Sequence, residues 1–141
     1  MPIEFRLSRP SPEVYLALFE TTGWNHEYQA TAEELGRALD NSKFVVAAYD
    51  GERLVGFGRV LTDGSLHAMI YELIVHPAWQ RQGIGGRILG ELIQWCQAAR
   101  IRDIQLFCAR GKRAFYEHRG FVARPEEAPG MQYRPHSPHR L

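Results

Sequence analysis

Around residues 71–96 the spacing of apolar positions changes from that of a strand to that of a helix. Leu73, Ile74 and Val75 form a short apolar run with two β-branched members, which predicts a strand. Pro77 stops it, because proline has no N–H to give to a ladder. From Ile84 onward, apolar residues recur at Ile88, Leu92 and Cys96, with Leu89 and Ile93 beside them. That is a single helical stripe. Between strand and helix lies Gln80-Arg81-Gln82-Gly83-Ile84-Gly85-Gly86-Arg87.

The same patterning gives the remaining elements. Ile3, Phe5 and Leu7 alternate with polar residues and predict a first strand. Ser11-Pro12-Glu13 supplies an N-cap and a proline at the first helical position, opening a helix that ends near Gly23. Trp24, Asn25 and His26 are then placed on a loop. Thr31 and Glu34 have the spacing of a capping box and start a second helix through Leu35, Ala38 and Leu39. Strands at 44–49, 54–61 and 66–75, separated by Asp50-Gly51 and Asp63-Gly64 turns, predict an antiparallel meander. A strand at 104–108 follows the central helix, and a strand–helix–strand crossover makes it parallel to its predecessor. A short helix at 113–119 stops at Gly120. Weaker strand patterns lie at 121–123 and 131–133. The expected fold is α/β (α+β): a mixed, mostly antiparallel sheet with helices on both faces.

Composition narrows the function classes. The chain has 141 residues, 45% of them hydrophobic, which suits one domain, 1–141, with a single core. Residues 135–141, rich in Pro, His and Arg, read as a loose tail. A formal charge of +1 gives no argument for a nucleic-acid partner. No apolar run approaches the ~18 residues a membrane span needs. The first ten residues lack the apolar core of a signal peptide, and the two cysteines, Cys96 and Cys108, have no Cys-x-x-Cys spacing. A reduced, cytoplasmic protein is the expectation.

Glycines that open a helix fed by a strand leave backbone N–H groups without intrahelical partners, and the helix dipole favours an anion there. Glycine also lets a phosphate come close to the backbone. Arg81 and Arg87 add positive charge. The amides of Gln82, Gly83, Ile84, Gly85 and Gly86 are therefore the expected cradle of a diphosphate. A P-loop is excluded, because no Lys-Ser/Thr pair follows the glycines. A dinucleotide fingerprint is excluded too, because its third glycine would fall at Ile88.

Gln80-Arg81-Gln82-Gly83-Ile84-Gly85, the lead-in Leu73-x-Val75-x-Pro77, and Ala114-Phe115-Tyr116 followed by Gly120-Phe121 resemble the GCN5-related N-acetyltransferases. The likeness is specific over residues 40–123. Thr22-Gly23-Trp24 and the stretch from Asn41-Ser42 to Asp50-Gly51 further resemble a bacterial and plastid branch related to serotonin N-acetyltransferase. The resemblance implies a splayed central pair of parallel strands. It implies acetyl-CoA as co-substrate, with its pantetheine arm pairing with Leu73, Ile74 and Val75. It also implies direct transfer to a primary amine of a small molecule, with no metal. Homodimer pairing through sheet edges or terminal strands is an option such a fold leaves open.

Direct transfer needs a base for the amine, donors for the oxyanion and an acid for the thiolate. Tyr116 stands where the family commonly carries that acid; otherwise it is a packing aromatic beside Phe115, itself expected near the cofactor. Glu72 is the expected base, a carboxylate amid apolar residues whose proton affinity desolvation would raise; the alternative is a salt-bridged strand residue. His76 and Tyr71 stand in reserve. Lys112 and Arg113 either reach the cofactor phosphates or are solvated. Cys108 is expected to be a small buried hydrophobe. Trp24 either walls an amine pocket or caps the core. The histidines lack the spacing of metal ligands. Three functions fit: a small-molecule N-acetyltransferase, which these residues favour, a protein or peptide acetyltransferase, and a non-catalytic acetyl-CoA-binding sensor.

Overall fold

The computed structural model of the chain describes residues 2–135. It comprises two compact units, Met1–Phe107 and Cys108–Leu141.

The first unit holds a five-stranded sheet in the order β1-β2-β3-β4-β5. Its strands are β1 (Ile3–Arg6), β2 (Phe44–Asp50), β3 (Arg53–Thr62), β4 (His67–Val75) and β5 (Asp103–Leu106). The first four pair antiparallel, and β4 and β5 pair parallel. The β2–β3 turn places Gly51 at φ +62° and the β3–β4 turn places Gly64 at φ +82°. In the second turn Asp63 Oδ1 accepts from the backbone N–H groups of Ser65, Leu66 and His67. The mostly antiparallel α/β architecture read from the sequence is therefore what the chain forms.

Helix α1 (Pro12–Glu20) is capped by Ser11, and α3 (Ala32–Asp40) opens with the expected reciprocal Thr31–Glu34 box. Between them the chain forms one further turn of helix, α2 (Asn25–Tyr28), where the sequence suggested a loop. The Asn25 side chain closes that turn by accepting from Ala30 N–H at 2.7 Å, a contact that spacing alone does not reveal. Helix α4 (Ile84–Ala98) joins β4 to β5 and buries Ile84, Ile88, Leu89, Leu92 and Cys96. Fully burying an aliphatic side chain is worth about 1.5–3 kcal/mol, so this stripe is the main anchor of α4.

Alternate residues of β3 show which helix lies on which face. A Cβ added to Gly56 would sit 2.9 Å from Ile84 and from Ile88, and one on Gly58 would sit 2.8 Å from Leu92. Phe57, between them, packs its ring 4.5 Å from that of Tyr15 in α1. Neighbours in a strand point to opposite faces. So α4 covers one face and α1 covers the other, with α3 against α1 where Gly36 approaches Pro12.

The second unit carries α5 (Arg113–Glu117), which ends before Gly120 at φ +94°. Strands at 121–123 and 131–133 do not form. Phe121 N–H instead bonds the Tyr116 carbonyl, Ala128 N–H closes a turn onto Pro125, and Val122, Met131 and Tyr133 are exposed. Three-residue patterns flanked by Pro125, Pro129 and Pro135 are too short to sustain a ladder without a partner strand. Cys96 is buried as expected, whereas Cys108 is exposed and is not the buried hydrophobe the sequence suggested. Apart from Pro135, the expected tail lies outside the described residues.

Because Gly56 lets α4 lie directly on β3, Gly56→Val should overpack this face and lower stability by about 1–3 kcal/mol. Denaturant unfolding checks this; an unchanged midpoint would show that α4 can move away freely.

Candidate active site

β4 leaves its parallel neighbour halfway along. The last β4–β5 pair is Ile70 with Leu106, while β4 stays paired with β3 as far as Val75. Residues 71–75 of β4 therefore have one edge without a β5 partner. His76 N–H bonds the Val55 carbonyl at 2.8 Å. By alternation Ile74 turns its backbone groups toward β3, and Leu73 and Val75 turn theirs to the free edge. The Val75 carbonyl there accepts from Gln80 Nε2 at 3.0 Å.

The divergence begins at an irregularity. Phe57 pairs with Ile74 and Arg59 with Tyr71, so Gly58 alone opposes both Glu72 and Leu73. This is a bulge with the extra residue on β4. Glu72 has φ +51°, a left-handed conformation that costs an ordinary residue about 1–2 kcal/mol. Its side chain is tied down. Arg59 Nε donates to Glu72 Oε1 at 2.6 Å and Arg59 Nη2 donates to Oε2 at 3.3 Å. Tyr15 Oη donates to Oε1 at 3.0 Å. Arg59 Nη1 reaches Ser42 Oγ at 3.1 Å and the Ala38 carbonyl at 3.4 Å.

The sequence expectation of an isolated carboxylate among apolar residues is corrected here: a guanidinium from the next strand faces it. Burial works against the Arg59 charge, but hydrogen bonding and attraction to Glu72 outweigh it and raise the Arg59 pKa. Burial pushes the Tyr15 phenol far above its ordinary range, with the Glu72 charge adding to it. Sequence reading missed Arg59, Tyr15 and Ser42. The available signal was an arginine in the middle of an apolar strand, which demands an acidic partner.

The chain after β4 makes a single 3₁₀ turn (Pro77–Trp79) and then enters α4. Gly83 caps α4 at φ +82° without any side-chain hydrogen bond, and Arg81 is also left-handed at φ +66°. Among the described residues no side chain caps the first-turn N–H groups of α4, as an anion site requires. Open space surrounds the position of a Cβ on Gly83. Among the described residues Arg81 has no ion-pair partner, whereas Arg87 pairs with Glu91 and lies over the Phe5 ring at 4.3 Å. Residues 82–86, the expected cradle, thus lead into a helix start with no side-chain cap, with Arg81 beside it, while Arg87 is partly engaged elsewhere. A coenzyme A molecule fits these features: amides for its diphosphate, and a free strand edge for an amide-bearing arm.

His76 is spent on structure. Its Nδ1 accepts from Ala78 N–H at 3.0 Å, and Arg53 lies 3.1 Å from Nε2. Burial, then the Arg53 charge, lowers its pKa, so it is neutral at pH 7. Trp24 is half-buried, edge-on to Phe19 at 6.1 Å and packed on the core, with exposed Tyr28 also against Phe19.

The other expected residues, Lys112, Phe115 and Tyr116, belong to the second unit. Lys112 caps α5 with its backbone only, and Arg113 is paired with Glu117 at 3.0 Å. Tyr116 is 8% exposed, edge-on to Phe115 and Phe121. Among the described residues its hydroxyl has no hydrogen-bond partner, yet none of their buried polar side-chain atoms lacks one. The hydroxyl is therefore not fully enclosed. Burial, then the charge of Cys108, pushes its pKa up to about 12.

The model of the acetyltransferase (GNAT) family matches residues 10–121, which takes in the cradle, the bulge and α5. The chain belongs to this family. Among relatives of this acetyltransferase-family chain is the uncharacterized N-acetyltransferase ycf52 of Gracilaria tenuistipitata var. liui, 32% identical over 84% of the chain and 65% of the relative. Another is histone acetyltransferase TAP1 of Glycine max, 30% identical over 84% of the chain and 55% of the relative. The chain thus spans under two thirds of either protein. The GNAT protein SP0256 of Streptococcus pneumoniae is 28% identical, with a TM-score of 0.79 over 96% of the chain and 100% of that structure. The PaiA N-acetyltransferase of Thermoplasma acidophilum, solved with coenzyme A, shares the fold at 20% identity, with a TM-score of 0.70 over 88% of the chain and 92% of that structure. Among the described residues no helix is long and apolar enough to cross a membrane, and no cluster of side chains is arranged to hold a metal.

Gly85→Val should leave the fold intact, since valine is no worse than glycine within a helix. Its branched side chain stands where the cradle must admit a diphosphate, so calorimetry should show coenzyme A affinity falling by about tenfold or more. Unchanged affinity would remove the cradle.

Proposed function

We propose that the chain transfers the acetyl group of acetyl-CoA directly to a primary amine of a small molecule. The observation that carries this reading is the continuity of two features. A strand edge with no β5 partner from Tyr71 to Val75 leads, through the short 76–83 segment, into the N-terminus of α4, which no side chain caps. Acetyl-CoA, when bound, supplies an activated thioester. In this reading the amides of residues 82–86 and Arg81 hold the diphosphate, and the backbone of Leu73 and Val75 takes the pantetheine arm. Lys112 and Phe115 are the second unit's candidates for cofactor contact.

Tyr116 serves as the acid for the departing sulfur. With a pKa of about 12 it is fully protonated at neutral pH, as a proton donor must be. Glu72 serves the amine. Its Oε1 is occupied by two short contacts, while Oε2 accepts only the 3.3 Å one, so Oε2 is the oxygen that attracts an ammonium ion and relays its proton to water. Trp24, with Tyr28, gives the acceptor side an aromatic patch suited to a small amine with an apolar body. The likeness to a histone acetyltransferase favours a second reading, in which the acceptor is a protein lysine. Amines and lysine peptides offered with acetyl-CoA, followed by thiol release, separate the two. A protein that binds acetyl-CoA but acetylates none of them is a sensor.

Tyr116→Phe should keep coenzyme A affinity and lower kcat by about tenfold or more. Because the phenol titrates only near about 12, the wild-type kcat profile should show no alkaline decline from this group below pH ~10. An undiminished kcat in Tyr116→Phe excludes the acid role.

Glu72→Gln should lower kcat/KM most at low pH, where a free amine with a reference pKa of about 10.4 is scarcest. The deficit should shrink as pH rises. A profile parallel to wild type at near-equal height would exclude Glu72 from the chemistry.

A further inference from the structure

We infer that Arg59 and Tyr15 are positioning residues for the cofactor's pantetheine arm, because they clamp the carboxylate of Glu72 and thereby hold the bulge that opens the free edge of β4. The inference rests on the reading of that edge as the pantetheine site.

The bulge needs a clamp. Glu72 is a non-glycine residue with φ +51°, and two residues of β4 oppose Gly58 alone. A regular strand would place the residues after Tyr71 in step with β3 and turn the backbone groups of Leu73 and Val75 the other way, because one residue of register reverses every direction. The extra residue therefore decides whether those groups reach the free edge. It is held from two directions. Arg59 on β3 grips both oxygens of Glu72, at 2.6 and 3.3 Å. Tyr15 on α1, fully buried, donates to Oε1 at 3.0 Å. Arg59 is in turn oriented by Ser42 Oγ and by the Ala38 carbonyl near the end of α3. The side chains of Arg59 and Glu72 are 11% and 16% exposed, so solvent does little to replace a lost partner. Neither Arg59 nor Tyr15 needs to touch the reacting atoms to act in this way.

Two ligands separate positioning from general loosening. Coenzyme A uses both the α4 cradle and the β4 edge; 3′-phospho-ADP carries the diphosphate but no pantetheine arm and uses the cradle alone. In calorimetry, Arg59→Met should weaken coenzyme A by about tenfold or more while changing 3′-phospho-ADP by less than about twofold. Arg59→Lys keeps the charge but not the two-pronged grip, so it should fall between Arg59→Met and wild type. Tyr15→Phe keeps the ring against Phe57 and removes one donor; it should show the same selectivity at about threefold, and it carries the test if Arg59→Met does not fold. Equal weakening of both ligands, or coenzyme A binding unchanged in a folded variant, overturns the inference. Failure of the wild type to bind coenzyme A is a different result: it removes the cofactor reading and, with it, this inference.

Discussion

The fold depends on a charged contact between adjacent strands. Arg59 and Glu72 sit where β4 must stay with β3 and leave β5, and their side chains are almost out of water. Such a pair adds little net stability over an apolar pair, but removing one partner leaves a buried charge and costs about 3–5 kcal/mol. The pair is better understood as specifying one arrangement than as strengthening it. Its cost is offset by further hydrogen bonds, from Tyr15 to the carboxylate and from the guanidinium to Ser42 and Ala38.

The free edge of β4 and the start of α4 both follow one irregular residue. The bulge shifts β4 out of register, its pairing with β5 stops at Ile70, and the strand ends at Val75, before Pro77. The chain needs only one tight turn to reach the start of α4. That helix is pinned by its buried stripe to the face of β3 opened by Gly56 and Gly58. A helix so anchored presents its uncapped amides at a fixed place relative to the strand edge. The geometry of the strand edge and of the helix start is thus set by core packing on one face of the sheet and by electrostatics on the other.

Tyr116 shows the same economy in the second unit. Aromatic neighbours bury its ring and raise its pKa, yet the hydroxyl keeps a way out. Burial thereby keeps the proton in place without hiding it. His76, whose ordinary pKa is better matched to neutral pH, is instead taken up by the turn before α4.

What the sequence determined by itself is whatever repeats or terminates locally. The helical stripe from Ile84 to Cys96, the Thr31–Glu34 box, the glycine turns and the glycine-rich start of α4 are each set by neighbours within a few residues, and all appear where the pattern puts them. What only the tertiary structure decided involves residues distant in the chain. The partner of Glu72 lies 13 residues away on another strand and its second donor 57 residues away on α1. The left-handed backbone at Glu72 and Arg81 is chosen by those contacts and by the turn, against the residues' own preference. The strand patterns at 121–123 and 131–133 failed for the same reason: alternation offers an edge, but a ladder forms only when the fold brings another edge beside it.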